Sequence, residues 1–339
     1  MLCRRFDMQR MGNNLKTAIC LLAAALGCAG AFSAQGADAF PTQPVRLIVG
    51  YSAGGTADVV ARALAQEMGK SLGQPVVVEN KAGANALIAT NEILRAKPDG
   101  YTLLMASLSH VVNPILSPDR ADYDPVADFS PISRAGVLPL VLTTSHGSRF
   151  SSVADLVQEA RAHPGTVSYG SAGVGGSGHL AGAMLEQETG TTMLHAPFKG
   201  NAPALLEVIA GRISFMFYPT IGIAQQIDEK RIRVLGVASQ QRLAQFPDVP
   251  TLEEAGFPGF ENTAIWLGIL APKATPGPVV DRLAQAVSKA LSDPALKARI
   301  HDMGLQPIDN DTPQAFAKFL HEDHDRWSRV IQKAGLLPQ

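Results

Sequence analysis

Two short glycine-rich stretches carry the residue types in this sequence that are best suited to chemistry. The first runs from Tyr51 to Asp58 (YSAGGTAD), and the second runs from Gly170 to His179 (GSAGVGGSGH). Glycine has no β-carbon, so the backbone of such a stretch can come close to a ligand. A helix that starts at the end of the stretch adds free N–H groups and a partial positive charge. The pair predicts a carboxylate held from both sides by backbone groups, although each stretch alone also fits an ordinary tight turn.

The segments around these stretches are those that a strand–turn–helix unit requires. Val45–Val49 predicts a buried parallel strand, and apolar residues at helical spacing follow Thr56, which we expect to be the N-cap. A strand at 166–169 precedes the second stretch, and Ser177 is the expected N-cap of the helix after it. Both stretches therefore follow a strand and open a helix.

Similar strand–helix alternation runs along the rest of the chain and predicts an α/β fold with parallel sheets and crossover helices. Other strands are expected at 76–79, 101–106, 138–143, 193–197, 215–218, 234–239 and 266–271. Other helices are expected at 86–96, 152–162, 203–210, 278–292, 294–303 and 313–334. Ligands of such sheets bind beyond the carboxyl ends of the strands, so the loops after residues 49, 79 and 106 are expected to converge.

No catalytic, cofactor or metal motif is complete. Gly173, Gly175 and Gly178 match the spacing of a dinucleotide fingerprint, but no carboxylate stands near the end of the next strand, at Pro197. A Walker A lysine is missing, and His179 stands where a nucleophile elbow needs glycine. The two histidines of the segment 321–324 are three residues apart, which is the wrong spacing for zinc, and a solvated last helix is expected instead. We therefore predict no enzyme activity, no cofactor and no metal.

Residues 1–39 have the composition of a cleavable signal peptide. A basic start precedes an apolar run of about 14 residues, too short to span a membrane, and Ala37-Asp38-Ala39 fits the cleavage pattern. The mature chain is expected to begin near Phe40, in the periplasm. Lipid anchoring at Cys28 is disfavoured because the leucine of the lipobox is misplaced by one position. All three cysteines lie in this segment, so no disulfide is expected.

Composition excludes some partners. The formal net charge is −1 and the charged residues are well mixed, which does not favour nucleic acid or a membrane surface. The length after the signal peptide, about 300 residues, is typical of two domains that each bury a core.

Several ordered segments together resemble the Bug family of periplasmic substrate-binding proteins, the receptors of tripartite tricarboxylate transporters. The matching segments are 44–58, 78–84, 98–104, 169–180, 198–200, 247–251 and 271–272. The resemblance implies a type II periplasmic-binding-protein fold, in which two α/β lobes close on a ligand by a hinge motion. It places lobe 1 at 40–142 and 262–339, and lobe 2 at 143–261. It also implies a monomer, a small carboxylate ligand and a pair of membrane permease proteins as partners.

The resemblance also implies which residues contact the ligand. They are Tyr51, Ser52, Ala53, Gly54, Gly55, Thr56, Asp58 and Ser107 from lobe 1, and Ser171, Gly173, Ser177, His179, Lys199, Gly200 and Tyr218 from lobe 2. From the residues alone, Lys199 is as well explained as a solvated cation.

Two departures from the family pattern bear on the ligand. Where the family often has aspartate, this chain has Ser214 and Tyr218. The second missing acid would face the ligand in members that bind an amino group, so we expect an aromatic or plain carboxylate and disfavour an amino acid. Two other functions stay open at this point. One is an envelope sensor that passes its signal to a regulatory partner, and the other is an envelope hydrolase or dehydrogenase.

Overall fold

Short β-branched segments alternate with amphipathic segments, and a computed structural model shows how they pair and pack. The structure describes residues 40–198, 200–302 and 304–337. The chain divides into two units after Thr42, and every element below lies in the second, Gln43–Gln339. The expected signal peptide and its cleavage site lie outside the described residues, apart from Phe40.

The strands are β1 Val45–Val49, β2 Val76–Asn80, β3 Thr102–Ser107, β4 Phe129–Leu138, β5 Leu140–Ser145, β6 Ser168–Ser171, β7 Leu194–Pro197, β8 Phe215–Pro219, β9 Ile232–Ala238, β10 Ile265–Pro272 and β11 Gln306–Pro307. The α-helices are α1 Thr56–Leu72, α2 Leu87–Arg95, α3 Ser109–Leu116, α4 Val153–Ala162, α5 Ser177–Thr189, α6 Asn201–Ile209, α7 Ala224–Asp228, α8 Gly277–Leu291, α9 Pro294–Asp302 and α10 Pro313–Lys333. A 3₁₀-helix covers Phe260–Thr263.

The strands form two sheets with the same pattern. The first has the order β11-β4-β10-β3-β1-β2, and the second has the order β7-β6-β8-β5-β9. In the first, β1 lies between the parallel strands β2 and β3, and β10 returns antiparallel. In the second, β6 lies between the parallel strands β7 and β8, and β5 returns antiparallel. The α/β class is confirmed. The expectation of parallel sheets holds for β1–β3 and for β6–β8, but each sheet also contains antiparallel strands, among them those that connect it with the other sheet.

The chain crosses between the sheets twice. Strand β4 ends at Leu138 and β5 begins at Leu140, so only Pro139 separates the two sheets. The expected single strand at 138–143 is therefore two strands in different sheets. The second crossover runs from the end of β9 to the start of β10, which pairs with β4 at Ile265. Both crossovers meet the first sheet at the edge where β1, β2 and β3 end. The start of β10 lies there because its Leu267 pairs with Ser107, the last residue of β3, and its Ile265 pairs with Leu138, the last residue of β4.

The apolar faces of the helices pack on the faces of the sheets. Every second residue of a strand points to the same face and so meets the same layer of helices. Ile48, Leu104 and Trp266 of the first sheet pack in one cluster with residues of α2, α3 and α10. Leu180 of α5, from the helix that follows the second glycine stretch, is also part of this cluster. The helix that follows β6 therefore packs against α10 as well as against the second sheet.

The last helix is less solvated than the sequence suggests. Asp323 is 1% exposed, accepts a hydrogen bond from Trp266 Nε1 at 2.9 Å and pairs with Arg326 at 3.1 Å. Burial raises the pKa of Asp323 to about 6. Among the described residues no cluster of three histidine, cysteine or acidic side chains is placed to hold a metal. No helix in the described ranges is long and apolar enough to cross a membrane.

Candidate ligand-binding site

The first glycine stretch is a short loop that ends in the free N-terminus of α1. The backbone N–H of Gly55 donates to Ser52 O at 3.2 Å, and that of Gly54 donates to Asp58 Oδ2 at 2.8 Å. Gly55, and not Thr56, is the N-cap, and no side chain caps the helix. The N–H groups of the first turn, at 56–58, have no hydrogen-bond partner among the described residues. They are the kind of donors that bind an anion.

Asp58 fastens this loop to the neighbouring strand. Its buried carboxylate accepts hydrogen bonds from Asn80 Nδ2 at 2.9 Å and Arg62 Nε at 3.1 Å in addition to Gly54. Asn80 also donates to the backbone oxygen of Tyr51 at 3.0 Å. Burial alone would raise the pKa of Asp58, but the hydrogen bonds from Arg62, Gly54 and Asn80 outweigh it and lower the pKa below its ordinary value. The carboxylate therefore stays charged and is occupied by protein donors.

Three hydroxyl groups meet at the carboxyl end of β3. Tyr51 Oη lies 2.7 Å from Ser107 Oγ and 2.8 Å from Ser109 Oγ, and the two serine oxygens are 3.3 Å apart. Both serines are buried. Burial raises the pKa of Tyr51, against the opposing effect of the two serine hydrogen bonds, so its hydroxyl stays protonated. The cluster brings together Tyr51 and Ser107, which the sequence placed 56 residues apart.

A left-handed turn lies beside the first loop. Ala84, Asn85 and Ala86 have φ of 46°, 52° and 69°, a conformation that residues other than glycine rarely adopt. Asn85 Nδ2 donates to Asn113 Oδ1 at 3.1 Å, and Asn113 Nδ2 donates to Asn85 O at 2.9 Å. This reciprocal pair ties the turn to α3. Strained backbone of this kind is found most often where a protein shapes a binding site.

The second glycine stretch is built like the first. The N–H of Gly176 donates to Gly173 O at 3.3 Å, and the N–H of Gly175 donates to His179 Nδ1 at 3.0 Å. Gly176, and not Ser177, is the N-cap of α5, again without a side-chain cap. The first-turn N–H groups at 177–179 have no partner among the described residues. The prediction that Thr56 and Ser177 are N-caps is wrong. Each is the first residue of its helix, and the glycine before it is the N-cap.

Two stacked histidines support the second loop. The rings of His179 and His195 lie 4.0 Å apart at 22°, and Tyr169 also stacks on His195, at 5.0 Å. His195 Nε2 and Ser171 Oγ are 2.7 Å apart, and the Gly173 N–H donates to the same oxygen at 3.2 Å. Burial, and secondarily His195, lowers the pKa of His179 to about 4, and burial also lowers the pKa of His195. Both rings are therefore neutral at pH 7.

The second glycine loop is in direct contact with α3, a helix that packs on the first sheet. A β-carbon on Gly175 would lie 2.6 Å from Leu116 Cδ1, 3.9 Å from Val112 Cγ1 and 3.8 Å from Asn85 Nδ2. Two cavities lie elsewhere, one of about 380 Å³ beside Ser145 and Thr166 and one of about 660 Å³ beside Arg46 and Arg95. Neither is lined by a residue that the sequence placed at the ligand.

The remaining predicted residues occupy the same strand ends. Ser52, Ala53 and Gly54 are exposed in the first loop. Gly200, with φ of 130°, is the N-cap of α6, directly after β7. Tyr218 is near the end of β8, half-buried, and its hydroxyl has no partner in the described part of the chain. Lys199 lies outside the described residues. Ligand contact by the residues named in the sequence analysis stays a prediction, and for Asp58 and His179 the observed partner is the loop backbone.

Several residues that hold the loops in place were not among the ligand-binding residues predicted from the sequence. They are Asn80, Asn85, Ser109, Asn113 and His195. A signal existed for two of them. Asn80 is the last residue of β2, and Ser109 begins α3 two residues after the end of β3, so both stand at the strand ends where ligands of α/β folds bind. The other three act through pairs that no local pattern reveals.

Comparison with known proteins places this architecture in a family. A sequence profile described as "Tripartite tricarboxylate transporter family receptor" matches residues 60–336. The chain is 38% identical over 299 residues to the UPF0065 protein in the tcbD-tcbE intergenic region of Pseudomonas sp. strain P51, covering 88% of each chain. It is 31% identical over 324 residues to Protein BugT of Bordetella pertussis, covering 95% of this chain and 98% of BugT.

Solved structures of similar proteins have the same fold. The structure of the periplasmic binding protein BugD is 34% identical, with a TM-score of 0.78 over 88% of this chain and 100% of that chain. Rpa4515 of R. palustris, with adipate, is 30% identical with a TM-score of 0.80 over 88% of this chain and 100% of that chain. MatC of Rhodopseudomonas palustris, with bound malate, is 30% identical with a TM-score of 0.77 over 86% of this chain and 100% of that chain.

Proposed function

The chain belongs to the tripartite tricarboxylate transporter receptor family, and we propose that it captures a small carboxylate in the periplasm for uptake by a permease of the tripartite tricarboxylate type. The family consists of solute-binding receptors, and its solved members include periplasmic binding proteins. Capture without chemical change agrees with the incomplete catalytic motifs of the sequence.

One observation carries the proposal. Each sheet presents, at the carboxyl end of its central parallel strand, a glycine loop and a helix whose first-turn N–H groups have no partner among the described residues. Two helix N-termini supply partial positive charge and directed donors without a fixed cation. A carboxylate that bridges them would satisfy both sets. Relatives with bound adipate and malate use a ligand of this class.

The proposal includes a hinge. We assign 40–142 and 262–339 to one lobe and 143–261 to the other, so that each lobe holds most of one sheet, although the first boundary falls within β5. Support comes from the crossover at Pro139, a single residue between two strands of different sheets. A short crossover of this kind can absorb a change of backbone angle while the sheets move as bodies.

The expected ligand is a plain or aromatic carboxylate. Tyr218 supplies a hydroxyl without a partner among the described residues at the end of β8, and Ser214 replaces an acid of the family pattern. The histidines of the second loop are neutral at pH 7 and add no charge. Asp58 is the only carboxylate of the two glycine loops, at 51–58 and 170–179, and its oxygens are already bonded, so these loops offer a ligand ammonium no free acid.

The test is a thermal-shift panel on the chain from Phe40 onward. Mono-, di- and tricarboxylates, aromatic acids and amino acids are added to protein from which bound ligand has been removed by partial unfolding. A ligand at 100 times its dissociation constant stabilises the fold by about 2.7 kcal/mol, a shift of several degrees. We expect a selective shift with one class of carboxylates. A panel that stays flat contradicts carboxylate capture, and a shift with glutamate or aspartate alone contradicts the ligand assignment.

A further inference from the structure

The two glycine loops are geometric repeats of one another. In each, a glycine with φ of 78° precedes an N-cap glycine in extended conformation, Gly54 before Gly55 and Gly175 before Gly176. In each, the N-cap N–H donates to the carbonyl three residues back, at 3.2 Å in the first loop and 3.3 Å in the second. The sequences in between, apart from the glycines, differ.

The repeat extends to a side chain on the first turn of each helix. Asp58 Oδ2 accepts from the N–H of Gly54 at 2.8 Å, and His179 Nδ1 accepts from the N–H of Gly175 at 3.0 Å. In both cases the acceptor is four residues after the donor. The accepting atom is also at the same place in the side chain, one bond beyond Cγ. Two residues of different chemistry therefore perform the same geometric task.

The surrounding topology makes the two positions equivalent. Both loops follow the middle one of three parallel strands, β1 in the first sheet and β6 in the second. Both acceptors are buried, with Asp58 and His179 each 3% exposed. Each acceptor is bonded to the N–H of the residue before the N-cap. The N–H groups without a partner among the described residues are therefore those of the first helical turn.

We propose that Asp58 and His179 are equivalent positioning residues, each of which locks one glycine loop in the conformation that directs the first-turn N–H groups toward a ligand. The role of these two hydrogen bonds in ligand capture rests on the proposed function. The hydrogen bonds themselves are a property of the protein without ligand. Neither side chain need touch the ligand, because the bonded atom of each already accepts a loop N–H.

The two locks differ in what they require. Asp58 accepts as a carboxylate and is also held by Asn80 and Arg62. His179 accepts through Nδ1, which must carry no proton, so the ring proton of the neutral form is on Nε2. The groups that face the His179 ring, His195 and the hydroxyl of Ser171 behind it, bring no acid that would favour a charged imidazolium. The second lock therefore depends on a neutral histidine in one tautomer.

Amide hydrogen exchange of the ligand-free protein, from Phe40 onward, tests the second lock at pH 7. We compare wild type with His179→Leu, which has no acceptor, and with His179→Asn, whose Oδ1 occupies the position of Nδ1. His163→Leu is the matched control, since His163 is exposed at the end of α4. We expect the Gly175 amide to exchange about tenfold faster in His179→Leu, as for one lost hydrogen bond. His179→Asn is expected to restore slow exchange, and His163→Leu to leave it unchanged. Circular dichroism confirms that each variant is folded.

Nitrogen-15 NMR of histidine-labelled protein gives a second, independent readout. We expect the His179 resonances of the wild type to show Nε2 protonated and Nδ1 bare at pH 7. Unchanged exchange at Gly175 in His179→Leu, or a proton on Nδ1, would overturn the lock. Either result leaves carboxylate capture intact, because neither measurement contains a ligand. Conversely, a flat ligand panel would not affect the exchange result.

Discussion

Leu116 lies directly over the α-carbon of Gly175, so that a β-carbon on that glycine would be 2.6 Å from Leu116 Cδ1. The contact joins the second glycine loop to the last residue of α3, in the first half of the chain. Because Gly54, at the equivalent place in the first loop, has the same φ of 78° and nothing within 4 Å of its β-carbon position, the chain contains its own control.

Gly175→Ala and Gly54→Ala are predicted to differ in stability. Both lose about 1–2 kcal/mol from the left-handed conformation. Only Gly175→Ala also displaces Leu116, for which overpacking adds about 1–3 kcal/mol. Urea unfolding of both variants measures the difference. Leu116→Ala in the Gly175→Ala background should recover part of the loss, and equal losses in the two glycine variants would show that the contact is not tight.

Removal of one first-turn N–H is predicted to weaken ligand capture while the fold is retained. Proline is well tolerated as the first residue of a helix, and Gly176 already has the extended conformation that precedes proline, with φ −73° and ψ 158°. Ser177→Pro therefore deletes a single backbone donor, together with the serine hydroxyl. We expect the dissociation constant for the carboxylate found in the panel to rise about tenfold to a hundredfold, as for a hydrogen bond to a charged group.

Ser177→Ala is the matched control for this experiment, since it removes the hydroxyl but keeps the N–H. Isothermal titration calorimetry measures both variants, and Thr56→Pro with Thr56→Ala repeats the comparison in the first loop. If Ser177→Ala weakens binding as much as Ser177→Pro, the hydroxyl and not the backbone holds the ligand.

The stability of the protein is predicted to fall in acid in part through His179. Histidine in an unfolded chain has a pKa near 6.5, whereas the pKa of folded His179 is about 4. Between these values the unfolded chain binds more protons, so the stabilisation is complete above pH 6.5 and is lost as the pH falls toward 4. The loss is at most about 3 kcal/mol. Buried His110, with a pKa lowered by burial to about 4, acts in the same direction.

The measurement is the difference in free energy of unfolding between His179→Asn and wild type from pH 7 to 4. Asp323 opposes the histidines, because its raised pKa of about 6 makes its contribution grow as the pH falls from 6 toward 4. That term is present in both proteins and cancels. We expect the difference to shift in favour of His179→Asn at low pH, and a constant difference would mean that His179 does not titrate with a lowered pKa.

Two tyrosines are predicted to separate a structural hydroxyl from a free one. Tyr51→Phe removes the hydroxyl that bonds to both Ser107 and Ser109 and should lower the free energy of unfolding by about 1 kcal/mol. Tyr218→Phe should leave stability unchanged, because that hydroxyl has no partner among the described residues. If Tyr218 contacts the ligand, its variant weakens binding instead. Chemical unfolding and calorimetry on the same two variants distinguish these effects.

Local patterns predicted much of this fold. The helices at 313–334 and 278–292 are observed at Pro313–Lys333 and Gly277–Leu291, and the strand Val45–Val49 has the expected limits. Residues a few positions apart decide such elements, because helical and strand periodicity and glycine conformation are properties of short segments. For the same reason the sequence indicated two backbone anion loops before any contact was known.

What the sequence by itself determined is therefore most of the elements, the two glycine loops and the family to which their order belongs. Only the tertiary structure decided which groups hold those loops, since Asp58 meets Asn80 from 22 residues away and Tyr51 meets Ser107 from 56 residues away. It also decided that the return strands run antiparallel, that Asp323 is buried and that Leu116 covers Gly175. Each of these depends on packing between segments remote in the chain, and periodicity within one segment carries no information about its distant partner.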